Sequence, residues 1–340
     1  MEESDSLSHI PRYAIKSVNA QNNHCMEINP AYKNYPGLST GIPADLQSFV
    51  TEWANAQFFQ FNSGSILSQW LSCKLYHIYL FRLIITNPVH LALTVHHPTL
   101  GLQFMLTGFI KTVEIFRPGT FGLMYLPAGR HRFRLEPGEY EAMGIELSPV
   151  LLEQLSESND QVKALVEFQL RAGDKVKRLE PLAINYRIRS TIEDMIHCRE
   201  SGDNLLMEFS TAIGNLLNLY RKELNDRAYS KGLPEDPYKE VLISIRDEIR
   251  SDPNKVKHTV QYFSSKYNIS GSTLKRAFKG FYKKTLGSFV TEECMKKAAF
   301  LIRDYSLSFD SIADKLGYSE RSGFLRAYRR VYGKAPKRRA

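Results

Sequence analysis

The sequence lacks any grouping of cysteines that a disulfide framework or a zinc site would need. Its 340 residues contain four cysteines, and no two of them form a C-x-x-C pair. The four are Cys25, Cys73, Cys198 and Cys294. Scattered thiols are typical of proteins that fold in a reducing interior.

Long hydrophobic runs are absent as well. The most apolar stretch, LYHIYLFRLIIT at 75–86, contains His77 and Arg82 and is shorter than the roughly 20 residues of a membrane span. The first residues, MEESDSLSHI, are acidic and lack the apolar centre of a secretory signal. These absences predict a cytoplasmic protein with no membrane partner.

The motifs of enzymes and cofactor sites are also missing. There is no P-loop, no dinucleotide fingerprint, no nucleophile elbow and no H-x-H pair of metal ligands. His96 and His97 are adjacent, so a strand would point them to opposite faces. His131 has an arginine on each side. The sequence therefore predicts no metal, no cofactor and no catalytic activity.

Positive charge is concentrated in the last third of the chain. Residues 231–340 carry 24 Lys and Arg against 12 Asp and Glu, a balance of +12. Residues 1–230 hold the remaining 21 basic and 24 acidic side chains, a balance of −3. A basic segment on a mildly acidic remainder indicates a polyanion partner. The alternative, a solubilising surface, does not explain the asymmetry.

Residues 308–332 have the pattern of a helix-turn-helix. Gly317 and Tyr318 separate two short apolar patterns of helical spacing, and Ser319 is placed to cap the second helix. The apolar positions are Ile312, Ala313 and Leu316 in the first helix, and Phe324, Tyr328 and Val331 in the second. The second helix turns several arginines away from that apolar face, which is typical of a helix that reads DNA.

A second copy of this pattern lies upstream, at 258–282. Its segment LKRAFKGF aligns with FLRAYRRV about fifty positions later. Its apolar positions are Val260, Phe263 and Tyr267, followed by Leu274, Phe278 and Phe281. An internal repeat of this kind makes chance a poor explanation for either copy.

The paired motif resembles the DNA-binding region of the AraC/XylS family of bacterial transcription regulators. The stretch SIADKLGYSERSGFLRAYRRVYGKAP carries the likeness at Ile312, Ala313, Gly317, Tyr318, Ser319, Ser322, Phe324, Arg326, Arg329, Gly333 and Pro336. Two positions depart from the family pattern. Gly323 replaces a larger residue inside a helix, and Lys283 replaces the glycine that usually ends the first recognition helix.

The resemblance implies a DNA-binding regulator that activates transcription with RNA polymerase as a partner. By position, the expected base-reading residues are Ser272, Lys275, Arg276, Arg321, Ser322 and Arg326. The expected phosphate contacts are Lys279, Arg329, Arg330, Lys334, Lys337, Arg338 and Arg339. For each of them a solubilising surface charge remains the alternative.

Residues 66–147 alternate with a period of two between turn signals, which predicts a β-sandwich or small barrel. The resemblance implies that residues 1–148 form a cupin-like domain that senses a small-molecule effector. Candidate pocket residues are His77, Arg130, Arg132 and Arg134. Two alternatives stay open for this region. The arginines form a solvated strand face offset by Glu136, Glu139 and Glu141, or the whole domain is a scaffold without a ligand. A cupin-type metal enzyme is disfavoured, since the metal motif is missing.

Residues 149–228 change to helical periodicity, with helices expected at 150–157, 160–171, 181–200 and 203–228. In the last of these, a coiled-coil-like seam is formed by Phe209, Ile213, Leu216 and Tyr220. The seam pairs with a second protomer or packs on the protomer's own β domain, and family practice favours a homodimer.

A linker at 229–236 leads to the DNA-binding region at 237–340, whose first helix is expected to begin at Asp236-Pro237. A bridging helix near 287–304 would be a rod of roughly 27 Å. Such a spacer presents two recognition helices to successive major grooves. The predicted architecture is multidomain α+β, with an N-terminal β domain and an all-α C-terminal domain.

Overall fold

The computed structural model describes residues 26–30, 41–108, 117–157, 159–231, 237–304 and 307–337. The strands are β1 (Met26–Pro30), β2 (Asn55–Phe61), β3 (Gly64–Ser72), β4 (Tyr76–Ile85), β5 (Val89–Val95), β6 (Thr99–Thr107), β7 (Thr120–Leu126), β8 (Gly129–Leu135), β9 (Gly138–Leu147), β10 (Lys177–Arg178) and β11 (Leu182–Ala183). The helices are α1 (Pro149–Ser156), α2 (Asp160–Leu170), α3 (Tyr186–Ile196), α4 (Gly202–Lys231), α5 (Lys239–Ser251), α6 (Val260–Tyr267), α7 (Gly271–Tyr282), α8 (Leu286–Asp304), α9 (Phe309–Lys315) and α10 (Arg321–Tyr332). A short 3-10 helix covers Ala44–Phe49.

The strands form a sandwich of two antiparallel sheets. The small sheet has the order β1-β5-β8, and the large sheet has the order β10-β7-β6-β9-β4-β3-β2, with β11 also pairing with β7. Alternate residues of β4 show how the large sheet is buried on both faces: Ile78 packs towards helices α1–α4, and Leu83 packs towards the small sheet. The prediction of an α+β chain with N-terminal strands and C-terminal helices is confirmed, and the β part is a sandwich.

Helix α4 covers the large sheet, and the predicted dimer seam faces inwards. Phe209 and Ile213 are 1% exposed, and Leu216 and Tyr220 are fully buried. The ring of Phe209 meets Trp53 edge-on at 4.9 Å, and the Leu123 N–H donates a hydrogen bond of 3.1 Å to the Tyr220 hydroxyl oxygen. The assignment of these four residues to a dimer seam is wrong, because the protomer's own sheet covers them.

The three arginines predicted to line an effector pocket lie at the edge of the small sheet. Strand β8 is an edge of the small sheet and exposes Arg130, Arg132 and Arg134. Arg134 pairs with Glu136 at 3.2 Å. The assignment of these arginines to a pocket is wrong, since their strand face is solvated.

His77 lies on β4 opposite Glu146 of β9, and burial lowers its pKa, which keeps the ring neutral. It is not among the residues that line the cavity described below. Its assignment to an effector pocket stays a prediction.

Two helix starts also differ from the predictions. Pro181 precedes the short strand β11 instead of opening a helix, and α3 begins at Tyr186 after the Asn185 cap. The Asn185 Oδ1 accepts hydrogen bonds from the N–H groups of Arg187 (3.0 Å) and Ile188 (3.1 Å). Helix α5 begins at Lys239, two residues after the predicted proline, and Asp236 lies outside the described residues.

Helices α5–α10, which we call the C-terminal unit, have a core of their own. Its buried members all lie between Leu242 and Ala327. Cys294 belongs to this core, and burial raises the pKa of its thiol to about 12, so it stays protonated.

None of the helices in the described ranges combines the length and the apolar content that a membrane span needs.

Candidate nucleic-acid interface

The first helix-turn-helix is formed by α6 and α7, and side-chain caps fix both starts. The Thr259 Oγ1 accepts a hydrogen bond of 3.1 Å from the N–H of Tyr262. The Ser270 Oγ accepts one of 3.2 Å from the N–H of Thr273. Between the two helices Asn268 takes the left-handed conformation, with a φ of 52°. The turn is therefore tight, and it leaves α7 with one face on the core and one in solvent.

The second helix-turn-helix is formed by α9 and α10, and its turn requires a glycine. Gly317 has a φ of 75°, and a Cβ there would lie 2.6 Å from the Asn254 Oδ1 and 2.9 Å from the Val256 nitrogen. The Lys255 N–H also donates a hydrogen bond of 2.9 Å to the carbonyl of Leu316. The loop after α5 is thus attached to the turn of the second unit, which joins the two halves of the fold.

The predicted cap of α10 is wrong. Helix α10 begins at Arg321, and Glu320 rather than Ser319 occupies the N-cap position without a side-chain cap bond. Both recognition helices end alike, since Lys283 after α7 (φ 56°) and Gly333 after α10 (φ 70°) adopt the left-handed conformation. A glycine is therefore not needed to end α7, although a lysine adopts this conformation at some cost.

The described residues predicted to contact DNA are exposed on α7, on α10 and just after α10. They are Ser272, Lys275, Arg276, Lys279, Arg321, Ser322, Arg326, Arg329, Arg330, Lys334 and Lys337. Arg338 and Arg339 lie outside the described residues. For all of these residues, the role in reading bases or binding phosphates stays a prediction.

Three of these side chains already have partners, and one of them is Ser272, whose hydroxyl lies 3.0 Å from the Ser270 hydroxyl. Arg321 lies 3.6 Å from the Asp310 carboxylate, and the Ser322 hydroxyl donates a hydrogen bond of 2.9 Å to Glu320. The guanidinium groups of Arg276 and Arg326 have no ion pair within the described ranges. Arg276 and Arg326 can therefore donate to an external acceptor without breaking an ion pair.

Helix α8 holds both recognition helices. Phe289 of α8 meets Phe278 of α7 edge-on at 5.6 Å. Tyr332 of α10 donates a hydrogen bond of 3.2 Å to the carbonyl of Met295 in α8. With 19 residues, α8 is about 28 Å long. A stiff rod that contacts both helices fixes their relative orientation before any DNA is bound.

A buried histidine that sequence reasoning missed supports the first unit. The His258 side chain is fully buried and stacks on Phe263 at 5.5 Å, with its Nε2 4.0 Å from a Glu248 oxygen. Glu248 accepts hydrogen bonds from the Tyr262 hydroxyl (2.5 Å) and the Lys266 ammonium (2.7 Å). Burial lowers the pKa of His258, and Glu248 only partly offsets this effect.

We expect acid to destabilise the C-terminal unit through His258. Because its folded pKa is lowered, the unfolded chain binds more protons below the ordinary histidine pKa of about 6.5. The free energy of unfolding should be constant above that pH and fall below it, with a slope that approaches about 1.4 kcal/mol per pH unit. His258 is the only histidine in residues 231–340, so a fall that begins near pH 6.5 in denaturant unfolding of that fragment is assigned to it. The pKa values of Glu248 and Asp252 are lowered as well, and these carboxylates lose their contribution only in more acid solution. His258→Phe should flatten the slope. An unchanged slope would mean that other groups cause the loss of stability in acid.

Replacing Gly323 with alanine should stabilise the C-terminal unit. Gly323 lies inside α10, and an added Cβ would make ordinary contact, 3.8 Å from the Tyr318 ring. Alanine is favoured over glycine in a helix interior by up to about 1 kcal/mol. Thermal unfolding of Gly323→Ala should show a higher midpoint, and Gly333→Ala, at a positive φ, should show a lower one. A lower midpoint for Gly323→Ala would mean that the recognition helix needs the glycine.

Comparisons with known proteins point to the same part of the chain. A family model described as a helix-turn-helix domain matches residues 263–339. A curated relative, the transcriptional activator AggR of Escherichia coli, is 28% identical over 93 residues, which are 27% of this chain and 34% of the relative. The chain thus matches about a third of that relative's length.

Solved structures give weaker likenesses. The C-terminal domain of AraT, a response regulator from Geobacillus stearothermophilus, is 23% identical and covers 30% of this chain and 84% of its own, with a TM-score of 0.28. ToxT from Vibrio cholerae is 12% identical and covers 77% of this chain and 97% of its own, with a TM-score of 0.26. TM-scores this low do not establish a common fold. The family match, the curated relative and the paired helix-turn-helix geometry agree that residues 263–339 form a helix-turn-helix domain of the AraC type.

Proposed function

We propose that this protein is a transcription regulator that binds specific double-stranded DNA through both helix-turn-helix units. One observation carries the proposal: two recognition helices, held by one bridging helix, each expose an unpaired arginine at the same place. Arg276 and Arg326 both follow a buried core residue, Leu274 or Phe324, by two positions. An arginine that leaves the N-terminal half of such a helix reaches base edges in the major groove.

The two kinds of contact divide between the predicted residues. Arginine donates two hydrogen bonds to O6 and N7 of guanine, so Arg276 and Arg326 are proposed as base readers. The lysines and arginines near the ends of the recognition helices are proposed to neutralise phosphates. Arg321 joins the readers when DNA replaces Asp310 as its partner. That exchange is cheap, because exposed ion pairs contribute about 0–1 kcal/mol.

The chain is further proposed to act as an activator, which is what the name of the relative AggR says of that protein. Contact with RNA polymerase is part of the same proposal. The N-terminal part would then adjust DNA binding in response to a small molecule. A cavity of about 340 Å³ between the large sheet and α3 supports the binding of a small molecule, because it offers such a molecule a place to bind. Its volume falls at the lower end of the range for small-molecule sites, about 300–1,000 Å³.

A scaffold without a ligand is the second candidate for the N-terminal part. The space between the two sheets favours it, since among the described residues the cavity found there measures only about 10 Å³. Tyr79 and Phe81 of β4 are among the side chains that occupy this interior. A ligand inside the sandwich, as the cupin-like expectation implies, would have to displace them.

Selection of bound sequences from random DNA tests the proposed function. The intact chain should enrich one motif of two blocks whose centres lie about 10 base pairs apart, one block for each recognition helix. A motif with a single block would limit base reading to one unit. Recovery of random sequence alone would contradict the function.

A further inference from the structure

A second link joins the two helix-turn-helix units beside α8. It is the loop 252–259, which connects α5 to α6. At the first unit, the N–H of His258 donates a hydrogen bond of 3.1 Å to the carbonyl of Asn254. At the second unit, the loop lies against the turn between α9 and α10, where a Cβ on Gly317 would lie 2.6 Å from the Asn254 Oδ1. The loop therefore contacts both units directly.

The side chain of Asn254 has one role in the loop and another across the units. Its Oδ1 accepts hydrogen bonds of 3.0 Å from the N–H groups of Val256 and Lys257, which gives the loop its turn. Its Nδ2 donates a hydrogen bond of 3.3 Å to the carbonyl of Lys315 at the end of α9. The oxygen therefore shapes the loop, and the nitrogen holds the second unit.

Three further contacts keep the loop in this place. The Lys255 N–H donates a hydrogen bond of 2.9 Å to the carbonyl of Leu316. The Lys255 ammonium lies 4.8 Å from the centroid of the Tyr318 ring. On its other side, the loop pairs Asp252 with Lys297 of α8 at 2.9 Å. The loop is thus attached to the second unit and to the bridging helix at the same time.

These contacts add a directional constraint to the packing on α8. Apolar contacts, such as that between Phe278 and Phe289, are non-directional and tolerate small rotations. A hydrogen bond weakens steeply when its donor and acceptor move out of line. A small rotation of the second unit about α8 therefore breaks the bond between Asn254 and Lys315 before it exposes the shared core.

We propose that Asn254 is a positioning residue that sets the spacing between the two DNA blocks. One inserted base pair moves the second block by about 3.4 Å along the DNA axis and by about 34° around it. A reader whose units are held in one relative orientation binds both blocks at one spacing, whereas a looser reader accepts neighbouring spacings. Asn254 acts through the turn of the second unit and needs no contact of its own with DNA. This inference rests on the proposed binding of DNA by both units.

Three kinds of DNA test this role in the intact chain: both blocks at the selected spacing, both blocks with one base pair inserted between them, and each block alone. In the wild type, the insertion should lower the affinity at least about tenfold, or about 1.4 kcal/mol. In Asn254→Ala, the penalty of the insertion should fall to about threefold or less, because a looser reader follows the shifted block. The affinity of this variant for each block alone should stay within about twofold of the wild type, since each unit keeps its own reading face.

Asn254→Asp separates the two roles of this side chain. It keeps an oxygen that shapes the loop, and it replaces the donor to Lys315 with an oxygen that repels that carbonyl. It should therefore lose the spacing preference as Asn254→Ala does. Ser308→Ala is the matched control, because it removes a helix cap inside the second unit, where the Ser308 Oγ accepts a hydrogen bond of 3.1 Å from the N–H of Ser311. This control should keep the wild-type penalty.

A wild-type insertion penalty in Asn254→Asp would overturn the proposal, because the bond to Lys315 would then not set the spacing. An equal loss of affinity for the second block alone would overturn it too, since Asn254 would then support only the fold of that unit. A wild-type chain that selects no DNA with two blocks would refute the proposed function and, with it, this inference.

Discussion

Ile213→Asp is expected to unfold the sandwich and its helical layer, and it should not yield a folded monomer. Ile213 is 1% exposed, and its neighbours on the same face of α4, Phe209 and Leu216, are equally buried against the large sheet. An unpaired carboxylate there has no partner, and the loss of free energy is on the order of 3–5 kcal/mol. Small domains are stable by only about 5–15 kcal/mol, so far-UV circular dichroism should show a large fall in the melting temperature.

Asn215→Asp supplies the matched control for this prediction. It adds the same charge to the same helix two residues later, at an exposed position, and its melting temperature should stay close to that of the wild type. Light scattering on both variants separates unfolding from dissociation. A folded Ile213→Asp protein with half the mass of the wild type would show that this face of α4 is a dimer contact. That result would contradict the packing described here.

Arg276→Ala and Arg326→Ala are each expected to weaken binding to the selected DNA by about 1–3 kcal/mol and to relax the preference at one base pair. The reason is the loss of a two-bond contact to guanine, which the remaining side chains do not replace. The two losses should be nearly additive, because the residues lie on different helices and share no partner in the described structure. Selection from random DNA with each single variant measures both effects.

Arg329→Ala is the control for the base readers. Arg329 is exposed in the last turn of α10, where a phosphate contact is proposed. Its loss should weaken all sequences alike and flatten the log–log dependence on salt by about one unit. If the motif selected by Arg326→Ala equals that of the wild type at every position, Arg326 is a phosphate contact and the assignment of readers fails.

The helix-turn-helix units could be predicted because their signals are local. Apolar residues at helical spacing, a turn at Gly317 and a repeat of the whole unit all lie within short segments. The start of α10 was missed for a local reason too: Ser319 has the right side chain, but the backbone places Glu320 at the cap. Residue type alone does not fix which of two neighbours occupies a cap.

The rest of the molecule depends on contacts between distant residues, which a pattern does not contain. The spacing of Phe209 and Ile213 shows that one face of α4 is buried. It does not show whether a partner helix or the chain's own sheet covers that face. Glu139 and Glu141 were expected to offset the arginines of β8. They form ion pairs with Arg82 instead, because strand β9 pairs with β4. In the sequence, Arg82 is recognisable only as a charge that interrupts an apolar run, and this signal does not predict the cavity that Arg82 lines.

The salt dependence of DNA binding by residues 231–340 is the most direct test of whether both recognition helices bind the same DNA molecule. The fragment contains both units, their bridging helix and the whole of their core. On DNA with both selected blocks, the logarithm of the affinity should fall against the logarithm of the salt concentration with a slope steeper than about −3. Removing one block should make that slope shallower and lower the affinity. Equal slopes and equal affinities on the two DNAs would show that one unit alone binds, and would contradict the double reader.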